Sequence, residues 1–334
     1  MKGRFFTFLA LVFPIVCFSQ FTNPQWGADS QELFLTEWNN SNNNSLYRIG
    51  SDGSDLEAIT LPVEIGEFIN IKITPRGERI IVVKKSGISQ IYRFESDGTN
   101  PVKLTKNEVD EFHPVPSPDG KRLAYLSTVK VVGQLYIMNL DGSNNRLLME
   151  SKGSVINPKW SPDGNKMIFN ELNPLGPAEG RFRQWIFDGK ELLNPVDGRK
   201  INMVGWKSND VILLEERVCY GLTDCKSAII EMDLSSSKEN KILKNFQNFE
   251  RLFINPKDNN KFLLVSGSDI FQGQAEVFVF TIGDKKPLKV GKFNNAQWSP
   301  DGSQIACDNG QDIFVVKFDN KKYFTNQITY SKKK

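Results

Sequence analysis

The 334-residue chain has one histidine, His113, only four cysteines, and a formal net charge of +3. One histidine excludes a multi-histidine metal centre, and any Ser-His-Asp triad would have to use His113 itself. No Gly-x-Ser-x-Gly elbow and no phosphate-binding Gly-Lys-Ser/Thr loop occurs. Charges of the two signs nearly cancel, which argues against a nucleic-acid or membrane-surface role, since both need a basic field. Long apolar runs are equally scarce. The one example, Phe5 to Phe18, is interrupted by Pro14, preceded by Lys2 and Arg4 and followed by Ser19-Gln20. It is too short to span a bilayer, which takes about 20 residues. It has the form of a secretory signal peptide, residues 1–19, cut after Ser19. Cys17 lacks the small preceding residue expected of a lipid-bearing cysteine. Removing the signal leaves a net charge of about +1.

Three cysteines then remain. Cys219 and Cys225 bracket Tyr220-Gly221-Leu222-Thr223-Asp224 between two apolar runs. In an oxidising compartment they can bridge the mouth of a hairpin; otherwise they are two free thiols. Their spacing is not that of a metal-binding pair. Cys307, in Ile305-Ala306-Cys307, reads as a small buried hydrophobe.

What the chain has in abundance is one repeated unit. Trp160-Ser161-Pro162-Asp163-Gly164 returns as Trp298-Ser299-Pro300-Asp301-Gly302, and as Pro116-Ser117-Pro118-Asp119-Gly120. With the third residue after the Trp position as anchor, copies fall at Asp29, Arg76, Asp119, Asp163, Asn209, Lys257 and Asp301. Four of the six tryptophans (Trp26, Trp160, Trp206, Trp298) occupy one position of the unit. The third copy shows its content: strands over Phe112–Pro116, Arg122–Leu126, Gln134–Leu140 and Arg146–Met149, with Ser-Pro-Asp-Gly and Asp141-Gly142 turns between them. A four-stranded sheet of this size cannot bury both faces alone. Repeats of about 45 residues solve this by packing radially as propeller blades. The expected fold is all-β: a seven-bladed β-propeller of four-stranded antiparallel blades, with six blades as the runner-up. One domain is expected over 20–334, with units near 22–60, 68–105, 112–149, 156–196, 201–243, 249–290 and 293–330.

The Trp-Ser-Pro-Asp-Gly turns and the Leu-Tyr-Ile-Met-Asn-Leu-Asp-Gly segment at 135–142 resemble the TolB-type β-propeller repeats of exported bacterial proteins. The resemblance spans the mature chain. It implies a propeller; such propellers serve as protein-binding platforms, as accessory domains and in some cases as enzymes. The extra N-terminal domain of TolB and the hydrolase domain of the related peptidases are not expected in this chain.

Candidate site residues fall in two groups. Three residues before the Trp position the copies read Asn23, Asn70, His113, Asn157, Met203, Arg251 and Asn295. In a propeller the first strand is innermost, so this row can ring one mouth of the central channel. Alternatively, these Asn residues satisfy backbone groups where the inter-blade loop enters the strand. The second group lies on the variable connections between second and third strands: Trp38, Lys130, Arg181, Phe182, Tyr220 and Phe271. Aromatics and arginine dominate binding hot spots, and loops on a rigid scaffold are the usual home of function. The Asp residues of the turns are too few per turn for calcium. No cofactor, no metal and no catalytic residue is expected. The expected role is a non-enzymatic protein-binding or scaffold propeller, periplasmic or secreted, recognising an envelope protein on its loop-rich face. The alternative is a carbohydrate-binding or carbohydrate-degrading propeller using the channel mouth, with a glycan as partner.

Overall fold

In the computed structural model the segments after the first turn of each blade do not alternate in burial. Ile80 to Val83, Leu123 to Leu126, Ile212 to Leu214 and Phe262 to Val265 are buried residue after residue. A strand with both faces covered reads as a continuous apolar run, because each of its faces meets another layer. These are the second strands of their sheets, and the covering layers are the neighbouring blades. The structure describes residues 20–38, 45–62, 66–129, 132–172, 182–196, 198–199, 201–220, 225–247, 249–266, 275–319 and 322–329.

The strands run in chain order across each blade, antiparallel throughout. Hydrogen bonding joins them into five four-stranded sheets and one seven-stranded sheet. The larger sheet is two blades. Its strand Leu288–Trp298 pairs through Leu288–Phe293 with the third strand of blade six, and through Asn294–Trp298 with the second strand of blade seven. One extended segment is thus the outer strand of one blade and the innermost strand of the next, and the blade count is seven.

Seven apolar clusters hold the ring, and each draws its residues from two adjacent blades. One joins Phe21, Trp26, Leu33, Leu35 and Ile49 of blade one to Ala306, Ile313, Val315 and Ile328 of blade seven. Among the described residues the ring therefore closes by packing, without exchange of a strand. Polar contacts reinforce the seam: Phe21 N–H donates to Gln311 O at 3.0 Å, and Asp301 N–H to Ser30 Oγ at 3.0 Å.

The Trp position explains itself here. The indole N–H of Trp160 donates to Val115 O at 2.9 Å, that of Trp206 to Lys159 O at 3.1 Å, and that of Trp298 to Phe253 O at 3.3 Å. Each acceptor belongs to the innermost strand of a preceding blade. Trp26 makes the closing version of this bond, to Gln297 O at 3.4 Å. A buried indole needs such a partner. The turns repeat as uniformly. In all three Ser-Pro-Asp-Gly copies the Ser hydroxyl donates to the Asp carboxylate, at 2.5, 2.6 and 2.5 Å. The same carboxylate accepts the backbone N–H two residues on. These hydrogen bonds favour the ionised Asp and help hold Asp119, Asp163 and Asp301 below the usual carboxylate range, against burial, which acts the other way.

A third device ties blade to linker. Gln90, Gln134 and Gln184 each lie in the first half of the third strand of their blade and are buried. Their side chains bond backbone groups of the segment leading to the next blade: Val109 O, Ser151 N and O, and Ile201 O. Cys219 and Cys225 face each other across the blade-five hairpin, 4.0 Å apart at Cα, and are disulfide-bonded. Cys307 is free and buried.

Candidate functional site

Innermost strands of neighbouring blades touch one another around the axis. They enclose a cavity of about 820 Å³, to which the first strands of all seven blades contribute. The residue immediately before the Trp position lines it in every blade: Gln25, Lys72, Val115, Lys159, Gly205, Phe253 and Gln297. Successive side chains of a strand point to opposite faces. The Trp side chain reaches back to the preceding blade, and the residue before it faces the channel and its neighbours. Lys159 Nζ donates to Val204 O of the next blade at 2.6 Å, and Gln297 Nε2 donates to Pro24 O across the closing seam. Lys72 Nζ donates to Gln25 Oε1 at 2.9 Å.

The row three residues before Trp behaves differently. Every innermost strand carries a register shift near this position. In four blades the residue there is left-handed: Asn23 (φ 53), His113 (φ 49), Asn157 (φ 54) and Asn295 (φ 49). Bulges re-aim the residues beside them, and Asn tolerates the left-handed region better than most side chains. The Asn enrichment thus has a backbone cause. Asn70, His113, Asn157 and Arg251 also line the cavity; Asn23 and Asn295 are not among its lining residues. Those two gather on the buried carboxylate of Asp308: the Asn23 N–H donates to Oδ2 at 3.1 Å and Asn295 Nδ2 at 2.8 Å.

The channel is cationic. Lys72, Lys159, Arg251 and His113 line it, and no Asp or Glu stands among its lining residues. Lys72 and Lys159 are half-buried; His113 and Arg251 are exposed. Burial, with the like charge of Arg251, lowers the Lys159 pKa to about 8. Burial lowers that of Lys72, and burial with the Lys72 charge lowers that of His113. Desolvation and like charge both disfavour a cation, so this site holds positive charge under tension that an anion would relieve. Trp160, Trp206 and Phe253 complete the lining with apolar surface.

The loop residues do not join this site. Tyr220 is 76% exposed at the disulfide-closed hairpin tip. Lys130, Arg181 and Phe271 lie outside the described residues, as do the side chains of Trp38 and Phe182, whose backbones belong to Glu32–Trp38 and Phe182–Phe187. Sequence reasoning missed the row before Trp because its identities differ from blade to blade. The available signal was that Lys72 and Lys159, and likewise Gln25 and Gln297, share a repeat position.

Neither a family model nor a curated protein matches the sequence. Solved structures do match in fold. An oligogalacturonate lyase in complex with manganese has a TM-score of 0.69 at 12% identity, over 91% of this chain and 90% of that one. The oligogalacturonate lyase of Vibrio parahaemolyticus has 0.69 at 11%, over 92% and 93%. The propeller domain of the trilobed protease from Pyrococcus furiosus, described as having an open velcro topology, has 0.68 at 11%, over 94% and 99%. At these identities the likeness establishes the propeller fold alone. The expectation of a non-enzymatic protein is corrected by the same finding. Two of these structures are lyases that coincide with this chain over at least nine-tenths of both lengths, so a bare propeller of this size suffices for catalysis.

The manganese of that lyase does not transfer to this channel. Manganese takes carboxylate, carbonyl, water and imidazole ligands. His113 is the one imidazole in the sequence, and two lysines and an arginine share the cavity with it. Among the described residues no group of three His, Cys, Asp or Glu side chains is placed to hold a metal.

Proposed function

We propose that the protein binds and acts on an acidic oligosaccharide in the central channel. The observation that carries this reading is the lining: four cationic or protonatable side chains and no carboxylate, interleaved with amides and aromatic surface. Lys72, Lys159 and Arg251 neutralise the carboxylates of the sugar. Asn70, Asn157, Gln25 and Gln297 offer donors and acceptors to hydroxyls. Trp160, Trp206 and Phe253 supply the apolar wall on which a ring face rests. The kinship of fold with two oligogalacturonate lyases supports this choice of sugar class. Residues 1–19 direct export, and the Cys219–Cys225 disulfide suits an oxidising compartment. The test is calorimetry and product analysis with oligogalacturonates against neutral galacto-oligosaccharides. Binding and turnover of the acidic series alone are expected; equal binding of the neutral series, or none of either, overturns the reading.

One observation favours a second site of recognition. Val218 and Tyr220, 47% and 76% exposed, crown the disulfide-braced hairpin of blade five. A braced, aromatic tip suits an envelope protein as partner. Loss of a cross-linked envelope partner on Tyr220→Ser, with channel binding unchanged, is the expected result.

A further inference from the structure

The cationic groups of the channel are not one cluster. Lys72 Nζ leans back to Gln25 Oε1 of blade one at 2.9 Å, whereas Lys159 Nζ leans forward to Val204 O of blade five at 2.6 Å and stands 5.9 Å from the Phe253 ring centroid of blade six, so the two ammonium groups serve different arcs of the ring. Lys72 and His113 come from blades two and three, and the Lys72 charge lowers the His113 pKa. Lys159 and Arg251 come from blades four and six, and the Arg251 charge lowers the Lys159 pKa. Along the row before Trp, Val115 separates the two lysines, and Gly205 follows Lys159. Gly205 is not imposed by crowding: a Cβ there would meet Leu252 Cδ2 at 3.7 Å and Ile254 Cδ1 at 3.8 Å, ordinary contact distances. Its effect is to leave open the space beside Leu252 and Ile254, which line the same cavity.

We infer that the channel is a two-point receptor for an oligomer carrying two or more carboxylates, one held by Lys72 with His113 and another by Lys159 with Arg251, without a bridging metal ion. The inference rests on the acidic-oligosaccharide reading and deepens it. The lysines supply the positive charge that a metal supplies elsewhere, and their separation sets a minimum ligand length. Two tethered carboxylates bind with an effective concentration that a monomer lacks, so affinity rises steeply from one sugar to two.

The experiment is isothermal titration of the full mature chain, in EDTA, with galacturonic acid, digalacturonate, trigalacturonate and neutral galactobiose. Digalacturonate should bind roughly 100-fold tighter than the monomer. Lys72→Met and Lys159→Met should each reduce it to the monomer's level, with a cooperative melt retained within a few degrees of wild type. Gly205→Leu, which fills the cavity and removes no charge, should weaken every acidic ligand by at least about tenfold. Equal affinity for monomer and dimer, or binding that EDTA abolishes and manganese restores, would overturn the two-point, metal-free receptor while leaving the acidic-sugar reading intact. If no galacturonate of any length binds the wild-type chain, that reading falls and this inference with it.

Discussion

Lys159 and Trp160 are neighbours on one strand, and their positions have opposite histories around the ring. The Trp position is tryptophan in four blades, and in each of those its indole N–H bonds the innermost strand of an adjoining blade. The preceding position reads Gln, Lys, Val, Lys, Gly, Phe and Gln, yet all seven line one cavity. Uniform chemistry marks the contact that every blade must make to stand beside the next. Varied chemistry at constant geometry marks the surface that the scaffold leaves free to specialise.

The sharpest test of this division is a pair of substitutions one residue apart. Trp160→Ala should cost about 3–5 kcal/mol, through lost burial, a cavity and an orphaned Val115 carbonyl. It also removes the ring beneath Arg122, whose guanidinium sits 5.2 Å from the indole centroid. Lys159→Met should cost less, about 1 kcal/mol, since its stem stays packed and a half-buried charge is removed, against the lost hydrogen bond to Val204 O. Chemical denaturation of both variants checks this, and equal losses would break the comparison.

Next in size is an effect on the same type of strand. Glu111, at the start of the blade-three innermost strand, is fully buried, with Oε1 accepting from Ser127 Oγ at 3.1 Å and Oε2 without a partner. Burial, offset by the Asn107 and Ser127 hydrogen bonds, pushes its pKa up to about 7 from 4.5. The native state therefore keeps a proton that the unfolded chain releases between those values. Its contribution is full below about pH 4.5 and is lost as pH rises through 7. Glu111→Gln should be more stable than wild type above pH 7, by up to about 3 kcal/mol, with the difference vanishing toward pH 4.5. Thermal melts across that range would show it.

Two smaller effects concern the channel rows. Asn157→Ala should cost about 1 kcal/mol and Asn157→Gly almost nothing, because the position is left-handed at φ 54. Asn70→Ala, at a position outside the left-handed set, should cost less than Asn157→Ala; a reversed order would show that the Asn row is kept for ligand contact rather than for backbone. Affinity for acidic oligosaccharide should fall as pH rises through about 8, where Lys159 loses its charge. Lys159→Arg should carry that limb to higher pH, as titration calorimetry would detect.

The repeat, the four-strand unit and the turn chemistry were legible because each is written locally. Ser161 and Asp163 meet within one turn, and the identity of Trp160 is repeated often enough to be read as a rule. The six-or-seven ambiguity was also local in origin: the strand Leu288–Trp298 serves two blades, so hydrogen bonding alone gives six sheets. The Asn row was visible, but its cause was not, since a bulge is a property of paired strands. The row before Trp was hidden because no residue type recurs in more than two of its seven members, which lie about 45 residues apart.

By itself, then, the sequence determined a seven-unit, all-β ring, since periodic turns and apolar strands can bury their surface only by stacking. Tertiary structure alone decided that Lys72, His113, Lys159 and Arg251 would face one cavity with no carboxylate among its lining residues. The physical reason is closure. Packing Phe21 and Trp26 against Ile313, Val315 and Ile328 bends a linear array into a circle. Only a circle turns one position per blade into a shared electrostatic field.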